Sequence, residues 1–413
     1  MEVIMGIKKR LLSCLLIILS VMAITGCLER VQINQLGIVA GIGIDKADDE
    51  YTITIQILNP SAIAGKTGNA LPVYSLKSEG KSIHEAYNKL DQFQSSALSL
   101  SHLEVIVINE EFAEKGIAPA LNFALRRFDV RPDINIVVAK GESANKVLNV
   151  VTALDMIPAA QINVSSRVPT HTARLTSSNL YETVDMVNTN TINVVLNAVS
   201  IHREEKHIDE KVDRKDGTKG HTADNGSTID NILDIAAPVQ LRIEHLAVFQ
   251  GDKLVGFIDD TEALLYNMIM GTHKRNAVVA RIEEDYYTSF GSTQVKSKIT
   301  TDLANNEATI NIGLKGIIFE NTYPIDLTNQ ENLAAMSEHL KSHFEQIINN
   351  FVDKSQTELK SDIFGIGGKA HNQENKVWKE KEGYWSELFP ELTINVEIEL
   401  EVTSVGEIGN VTL

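Results

Sequence analysis

A short apolar run near the N-terminus decides which part of this chain can fold. The run occupies residues 11–24, follows the basic residues 8–10, and ends at two small residues, Thr25 and Gly26. A helix needs about 20 apolar residues to cross the hydrocarbon of a membrane, and this run is shorter. A basic stretch followed by such a run is typical of a secretory signal peptide. We therefore predict that residues 1–26 are cleaved from the chain.

The end of this run, Ile24-Thr25-Gly26-Cys27, resembles a bacterial lipobox. In that motif the signal peptide is cleaved between the glycine and the cysteine, here Gly26 and Cys27. The cysteine thiol receives a diacylglyceryl group and the new amino group is acylated. Two or more acyl chains anchor a protein stably. We predict Cys27 as the lipidation site, an S-diacylglycerol cysteine with an N-acyl group; the alternative is an ordinary signal peptide with a chance cysteine.

Charge and cysteine content limit what the mature chain can do. The full chain has a formal net charge of −17, and residues 1–26 carry three positive charges and one negative, which leaves −19 on the mature chain. An acidic surface is repelled by phosphate backbones and by anionic headgroups. Nucleic acid is therefore not an expected partner. After cleavage Cys27 is the single cysteine, which excludes an intramolecular disulfide and cysteine-based zinc sites.

Strand and helix patterns alternate over residues 27–201. Apolar or alternating runs predict strands at 36–44, 51–58, 103–108 and 134–139. Apolar residues at three and four spacing predict helices at 82–97, 110–127, 143–154 and 172–187. Strands that alternate with helices indicate an α/β-type N-terminal domain.

A change of composition separates this domain from the rest. Residues 202–229 are rich in charged and other polar residues, and such a segment buries too little apolar surface to fold; we expect a flexible loop or linker. A hairpin and a helix predict a small middle domain at 230–283. Long alternating strands and an apolar helical stripe at 329–359 predict a C-terminal α+β domain at 284–413. The expected fold class is α+β, with two to three mixed sheet-and-helix domains after a cleaved lipoprotein signal peptide.

No group of residues assembles a nucleophile, a base and an orienting partner, so we do not expect an enzyme. His339 and His343 stand four apart on the long helix, a spacing that two metal ligands can use. The intervening residues lack the glutamate of a zinc protease motif and no third ligand is assignable. A solvated helix face is the better interpretation, and neither a metal nor another cofactor is expected.

The glycines of the first predicted strand also favour structure over ligand binding. No helix directly follows Gly37, Gly41 and Gly43, so we predict close packing of the backbone or a bulge there instead of a dinucleotide-binding fingerprint.

Two further motifs favour structure over ligand binding. The glycine-rich residues 364–370 lack the spacing of a phosphate-binding loop, and we predict a helix-terminating turn with Gly365 at or near the C-cap. Trp378 and Trp385 are seven apart. They could form an aromatic ligand shelf, but a helix anchored on a sheet is the favoured interpretation.

The opening of the mature chain resembles a known family. Residues 27–45 read Cys-Leu-Glu-Arg-Val-Gln-Ile-Asn-Gln-Leu-Gly-Ile-Val-Ala-Gly-Ile-Gly-Ile-Asp. This is similar to the start of the C subunits of spore germinant receptors, the Ger(x)C lipoproteins, with a lipobox Cys, Asn-x-Leu, and a strand ending Gly-x-Gly-Ile-Asp. The resemblance continues through 101–141, 245–259 and 360–399. The sequence departs from the family at Leu28, where Trp is common, and at the apparent insertion 202–228.

The resemblance implies a three-domain α+β lipoprotein on the outer face of the cytoplasmic membrane, the spore inner membrane, that works with A-type and B-type membrane subunits in nutrient sensing. The expected function is thus a lipid-anchored subunit of a germinant receptor complex, acting through protein–protein contacts in spore germination. Direct nutrient binding by this subunit stays open. The alternative is a lipid-anchored solute-binding protein of a transporter; those usually have two similar α/β lobes, and no duplicated pattern is visible here.

Overall fold

The computed structural model describes residues 36–405 together with Ser13. The gaps in that range are 66–69, 94–96, 151, 153–154, 167–173, 190, 204–238, 273–275 and 284. Gly26, Cys27, nearly all of the charged segment 202–229 and the start of the helix predicted at 172–187 lie outside the described residues. The part that is described contains two β-sheets with their helices, the mixed α+β fold expected from the sequence.

The first sheet has nine strands in the described part of the chain. They are β1 (Leu36–Ala47), β2 (Glu50–Leu58), β3 (Val73–Gly80), β4 (Ala97–Ser99), β5 (Val105–Asn109), β6 (Asn135–Ala139), β7 (Val195–Arg203), β8 (Val239–Gln250) and β9 (Lys253–Ile258). Their order is β3-β2-β1-β5-β6-β7-β8-β9, with β4 paired to the start of β1. The central strands β1, β5, β6 and β7 are parallel, and antiparallel strands flank them on both sides.

Helices cover both faces of this sheet. They are α1 (Pro60–Ile63), α2 (Ile83–Phe93), α3 (Glu110–Lys115), α4 (Ala118–Leu125), α5 (Ala144–Leu148), α6 (Pro158–Ser166) and α7 (Leu180–Asn188). Residues of α2, α3, α4 and α7 contribute to the core on one face, and those of α5 and α6 to the core on the other. Because both faces are buried, β5 and β6 read as continuous apolar runs instead of alternating ones.

The helices predicted for this part of the chain are longer than the observed ones. Helix α7 begins at Leu180, although its pattern predicted a start at 172. The helix predicted at 110–127 is divided into α3 and α4, because Gly116 between them has a φ of 117°, a backbone conformation that no helix contains. The helix predicted at 143–154 ends with α5 at Leu148. Periodicity alone does not reveal such breaks.

The second sheet has four strands among the described residues: β10 (Asn276–Glu283), β11 (Tyr286–Asp302), β12 (Glu307–Asn321) and β13 (Thr393–Ser404). β10, β11 and β12 are antiparallel neighbours, and β13 lies parallel to β12. The associated helices are α8 (Asp260–Met270), α9 (Gln330–Thr357), α10 (Ile366–Gln373), α11 (Asn375–Lys381) and α12 (Trp385–Leu388), with 3-10 turns at Glu382–Tyr384 and Phe389–Glu391.

The long helix α9 packs its apolar stripe on this sheet, as the sequence predicts. Met336, Leu340, Phe344, Ile348 and Phe351 are buried in one core with the inward-facing residues of β11 and β12. The three and four spacing of these side chains places them on one face of the helix. The stripe of α9 and the alternation of β12 therefore form the core of the second sheet.

The sheets correct the expected middle domain at 230–283. Its hairpin, β8 and β9, extends the first sheet through pairing with β7, whereas β10 belongs to the second sheet. Helix α8 connects them and shares one core with residues of both sheets, including Val195 and Val248 of the first. Local sequence patterns found these strands but could not assign them, because sheet membership depends on long-range pairing.

Candidate functional site

The predicted anchor precedes the first strand. Gly26 and Cys27 lie outside the described residues, and the chain enters the fold at Leu36, the first residue of β1. In the described part of the chain, no helix has both the length and the apolar character needed to span a membrane.

The glycines of β1 allow two helices to approach the strand closely, as the sequence predicts. A Cβ on Gly41 would lie 2.8 Å from the Cβ of Ala159 in α6, and one on Gly43 would lie 3.2 Å from the backbone of Ala144 in α5. The pairing of β1 with β2 also shifts register between Val39 and Gly41, which marks a bulge. These glycines are thus required for packing and do not form a nucleotide-binding loop.

Asp45, which ends the same motif, caps helix α5. Its carboxylate accepts the backbone N–H of Ala144 at 2.7 Å and that of Asn145 at 3.0 Å. A carboxylate at a helix N-terminus satisfies free N–H groups and complements the helix dipole. Burial raises the pKa of Asp45, and the two backbone hydrogen bonds oppose that rise. The Gly-x-Gly-Ile-Asp motif therefore joins β1 to α5.

A fully buried carboxylate, Asp362, caps helix α10. It accepts the backbone N–H of Ile366 at 3.0 Å, that of Gly367 at 2.8 Å and the indole N–H of Trp385 at 3.1 Å. Burial raises the pKa of Asp362 to about 6, although the hydrogen bonds from Gly367, Ile366 and Trp385 lower it. Sequence analysis missed this residue because an isolated aspartate carries no periodic pattern.

The same geometry corrects the prediction for Gly365. This residue is left-handed, with φ 69°, and precedes α10 as its N-cap instead of ending a helix. The preceding helix, α9, already ends at Thr357. The helix N-terminus within the glycine-rich stretch is occupied by the carboxylate of Asp362, which supplies the negative charge that an anion would otherwise bring.

The segment around Asp362 joins the second sheet's helices to the first sheet. The backbone carbonyl of Asp362 accepts the N–H of Asn193 at 2.9 Å, and the carbonyl of Thr191 accepts the N–H of Gly368 at 2.8 Å. The hydroxyl of Ser361 donates to the carbonyl of Phe249 in β8 at 2.6 Å. We call residues 360–368 the junction segment.

The two tryptophans are structural, which agrees with the favoured interpretation. Trp378 and Trp385 are buried, and their ring centroids lie 5.0 Å apart in an edge-on arrangement. A Cβ on Gly367 would lie 2.8 Å from Trp378 and 2.8 Å from the indole nitrogen of Trp385. The aromatic pair therefore packs directly on the start of α10 and is not an open shelf.

The two histidines of α9 do not join further metal ligands. Burial lowers the pKa of His343, and the neighbouring His339 lowers it further. Over the residues that the structure describes, no three His, Cys, Asp or Glu side chains are grouped so that they could hold a metal ion.

A groove lies among the helices that cover one face of the first sheet. It lies between α2 and α4 and has a volume of about 590 Å³. Tyr51, Ile83 and Phe123 supply apolar surface, and the described lining residues include cations but no carboxylate. The cations are Lys81, Arg126 and Arg127. The remaining lining residues are Ser82, His84, Pro119, Asn122 and Phe128.

The fold and these sequence motifs define a class of spore germination proteins. A family model described as "Spore germination protein N-terminal domain" matches residues 29–201, and one described as "Spore germination B3/ GerAC like, C-terminal" matches residues 244–406. The chain belongs to this GerAC-like family, the C subunits of germinant receptors, and the family's role is in spore germination. It is not a known enzyme family.

Two relatives match over nearly their whole length. Spore germination protein KC of Bacillus subtilis (strain 168) is 26% identical over 414 residues, which cover 96% of this chain and 96% of that protein. Spore germination protein B3 of the same organism is 22% identical, over 94% of this chain and 96% of its own length. The crystal structure of the GerBC protein has the same fold, with a TM-score of 0.53, 17% identity, and coverage of 88% of this chain and 97% of that one.

Proposed function

We propose that this chain is a lipid-anchored subunit of a nutrient germinant receptor complex, held on the outer face of the cytoplasmic membrane, the spore inner membrane, through Cys27. It acts there by protein–protein contacts with A-type and B-type membrane subunits. The observation that carries the proposal is that both halves of the family match in order along one chain. The lipobox at 24–27 supports the anchor.

The fold agrees with a contact function more than with the solute-binding alternative. A solute-binding protein of a transporter usually closes two similar α/β lobes around a cleft. Here one large mixed sheet is joined to a smaller, mostly antiparallel sheet. The junction segment links them through the hydrogen bonds of Ser361 to Phe249 and of Asn193 to Asp362. These units differ in size and topology, so no observation favours the alternative.

Affinity purification of the native protein from spore inner membranes tests the proposal. We expect an A-type and a B-type membrane subunit to co-purify in defined ratio from detergent extracts, and mass spectrometry to find a diacylglyceryl group on Cys27. Purification of the chain alone under conditions that keep other membrane complexes intact would contradict it. In a parallel calorimetric titration with amino acids and sugars, micromolar binding by the isolated chain would instead favour the solute-binding alternative.

A further inference from the structure

The second sheet ends in a long strand with one open backbone edge. β13 pairs with β12 on one side and is the last strand in the order β10-β11-β12-β13. Apart from that pairing, no hydrogen bond joins the backbone of residues 394–403 to any other residue that the structure describes. An edge strand of this kind presents a row of N–H and C=O groups to which another strand can pair.

β13 has few of the features that usually prevent such pairing. Protected edge strands are short, irregular or interrupted by Pro or Lys. β13 has 12 residues, contains neither Pro nor Lys, and keeps a regular register with β12 from Thr393 to Val402. The strand at the other end of the sheet, β10, has 8 residues and a register shift between Arg281 and Glu283. β13 is therefore the edge of this sheet that is better suited to accept a further strand.

The inner face of β13 leaves apolar surface for that strand. On β12, which lies inside the sheet, Ile310, Ile312 and Leu314 are at most 2% exposed. On β13, Val396 and Leu400 pack against the same core but stay partly exposed. Neighbouring strands place their side chains next to each other on one face of a sheet. Apolar residues in a strand beyond β13 would therefore cover Val396 and Leu400.

The outer face of β13 is acidic. Glu397, Glu399 and Glu401 are exposed and alternate with the apolar residues of the strand. Glu401 is paired with Lys315 of β12, whereas Glu397 and Glu399 have no ion-pair partner in the described part of the chain. The residue opposite Glu399 on β12 is Gly313, which has no side chain to offer. Basic residues in a strand beyond β13 would lie directly beside these carboxylates.

The same charges disfavour a second copy of this chain at the edge. Two antiparallel β13 strands would bring the glutamates of both copies onto one face, and like charges opposite each other destabilise a sheet. The mature chain is also acidic as a whole, so it attracts a basic segment and repels an acidic one. Charge complementarity therefore favours a basic strand from another protein.

We propose that β13 accepts an extended segment of a partner protein in which basic and apolar residues alternate. The basic side chains lie beside Glu397 and Glu399, and the apolar side chains lie beside Val396 and Leu400. Main-chain hydrogen bonds to the open edge hold the segment, and its alternation makes the pairing specific. The inference rests on the proposed function in protein–protein contacts and deepens it, because it names the surface and the chemistry of one contact.

A short synthetic peptide of alternating lysine and valine tests this edge on the full-length lipoprotein in detergent. Fluorescence anisotropy measures its binding against a shuffled peptide of the same composition, which has the same charge without the alternation. We expect the alternating peptide to bind about tenfold more tightly, since several cross-strand pairs contribute together. Equal binding of the two peptides would show attraction by net charge alone and would overturn the inference.

Two N-methylated forms of the peptide test the main-chain pairing. N-methylation of all valines, or of all lysines, removes the N–H groups from one edge of an extended peptide, because alternate residues direct their N–H groups to opposite edges. We expect one of the two forms to lose binding and the other to keep it. Undiminished binding of both forms would overturn strand pairing.

Charge reversal on β13 tests the position of the contact. Glu397→Lys/Glu399→Lys should lose the preference for the lysine peptide and should bind an alternating glutamate–valine peptide instead. Glu380→Lys/Glu387→Lys is the matched control, because it makes the same change in net charge at exposed residues of α11 and α12. It should keep the wild-type preference, and an equal loss in both variants would overturn the assignment to β13.

Amide hydrogen exchange of β13 tests the other possible occupants. In the free chain we expect alternate amides to exchange fast and to become protected when the lysine peptide binds. Protection of all β13 amides at every protein concentration would mean that another segment of this chain covers the edge. Protection that increases with concentration would mean a second copy, and either result would overturn the proposal.

Co-purification of A-type and B-type subunits reports on the proposed function separately. Subunits that co-purify with a chain that fails the peptide tests would overturn the pairing at β13 alone. Specific peptide binding by a chain that purifies without them would count against the proposed function and would leave the strand pairing supported.

Discussion

The Asp362 carboxylate accepts the indole N–H of Trp385 at 3.1 Å, within the aromatic cluster under α10. The backbone carbonyl of the same aspartate accepts the N–H of Asn193, which precedes β7 of the first sheet. Asp362 therefore connects the helices of the second sheet to the first sheet through two different groups. A change in its side chain is expected to disturb α10 and the junction segment together.

Ionisation of Asp362 gives stability a defined dependence on pH. Its pKa is raised from 3.8 to about 6 in the folded chain, so between these values the folded state holds a proton that the unfolded state has lost. The contribution of this group to the free energy of unfolding is therefore largest below about pH 4 and falls as pH rises to about 6, by about 3 kcal/mol in total.

The variant Asp362→Asn tests this contribution. At acid pH the wild-type carboxyl is protonated but still offers two oxygens to the N–H groups of Ile366, Gly367 and Trp385, whereas an amide offers one, so we expect the variant to lower the free energy of unfolding by about 1–3 kcal/mol there. Because the variant does not titrate, its deficit relative to wild type should be larger at about pH 4 than at about pH 7. Urea titrations at both pH values measure the difference. A deficit that is independent of pH would show that Asp362 is not the titrating group.

Close packing at α10 predicts a steric effect. Gly367→Ala would place a Cβ 2.8 Å from Trp378 and from the Trp385 indole nitrogen, and overpacking of this kind costs about 1–3 kcal/mol of unfolding free energy. Gly383→Ala is the matched control, since a Cβ there meets nothing within 4 Å. Thermal unfolding followed by tryptophan fluorescence should show a lower midpoint for the first variant alone. Equal midpoints would contradict the packing described at Gly367.

Local patterns predicted the elements better than their connections. The stripe of α9 was recognisable because burial of one helix face spaces the apolar residues three and four apart. The strands β5 and β6 were recognisable because burial on both faces makes them continuously apolar. The membership of β8 and β9 in the first sheet could not be recognised, because the pairing of β8 with β7 joins residues far apart in sequence. The middle domain was therefore the part of the architecture predicted wrongly.

The role of a site residue could be predicted where its place in a strand or helix was evident from the sequence. The close-packing role of Gly41 and Gly43 followed from their place in a strand with no helix directly after it. The capping role of Asp362 and the N-cap role of Gly365 could not be predicted. The sequence marks the end of α9 at Thr357 with neither a glycine nor a proline.

The cap on α5 provides a third prediction. Asp45→Ala removes the acceptor of two backbone N–H groups, and loss of such a cap costs about 0.5–2 kcal/mol. We expect a lower free energy of unfolding for Asp45→Ala than for Asp49→Ala, in which an exposed carboxylate after the same strand is removed. Urea unfolding of both variants measures this. Indistinguishable values would mean that α5 does not depend on Asp45.

The last prediction concerns function and rests on the proposed anchor. Cys27→Ala should prevent acylation and move the protein from the membrane fraction to soluble or secreted fractions, while the body still folds because no core residue changes. A short tether raises the effective concentration of the domain at its membrane partners to roughly the millimolar range, and release forfeits this. Spores that contain normal amounts of the variant should therefore respond weakly to the nutrient.

Deletion of the chain gives the matching control for that assay. Loss of the whole subunit should block germination by one class of nutrient and leave germination by a receptor-independent trigger unchanged, because such a trigger bypasses the receptor. The Cys27→Ala spores should fall between wild type and the deletion. Full nutrient germination of the deletion strain, with no other receptor for the same nutrient, would refute the receptor assignment; full activity of Cys27→Ala alone would refute only the requirement for the anchor.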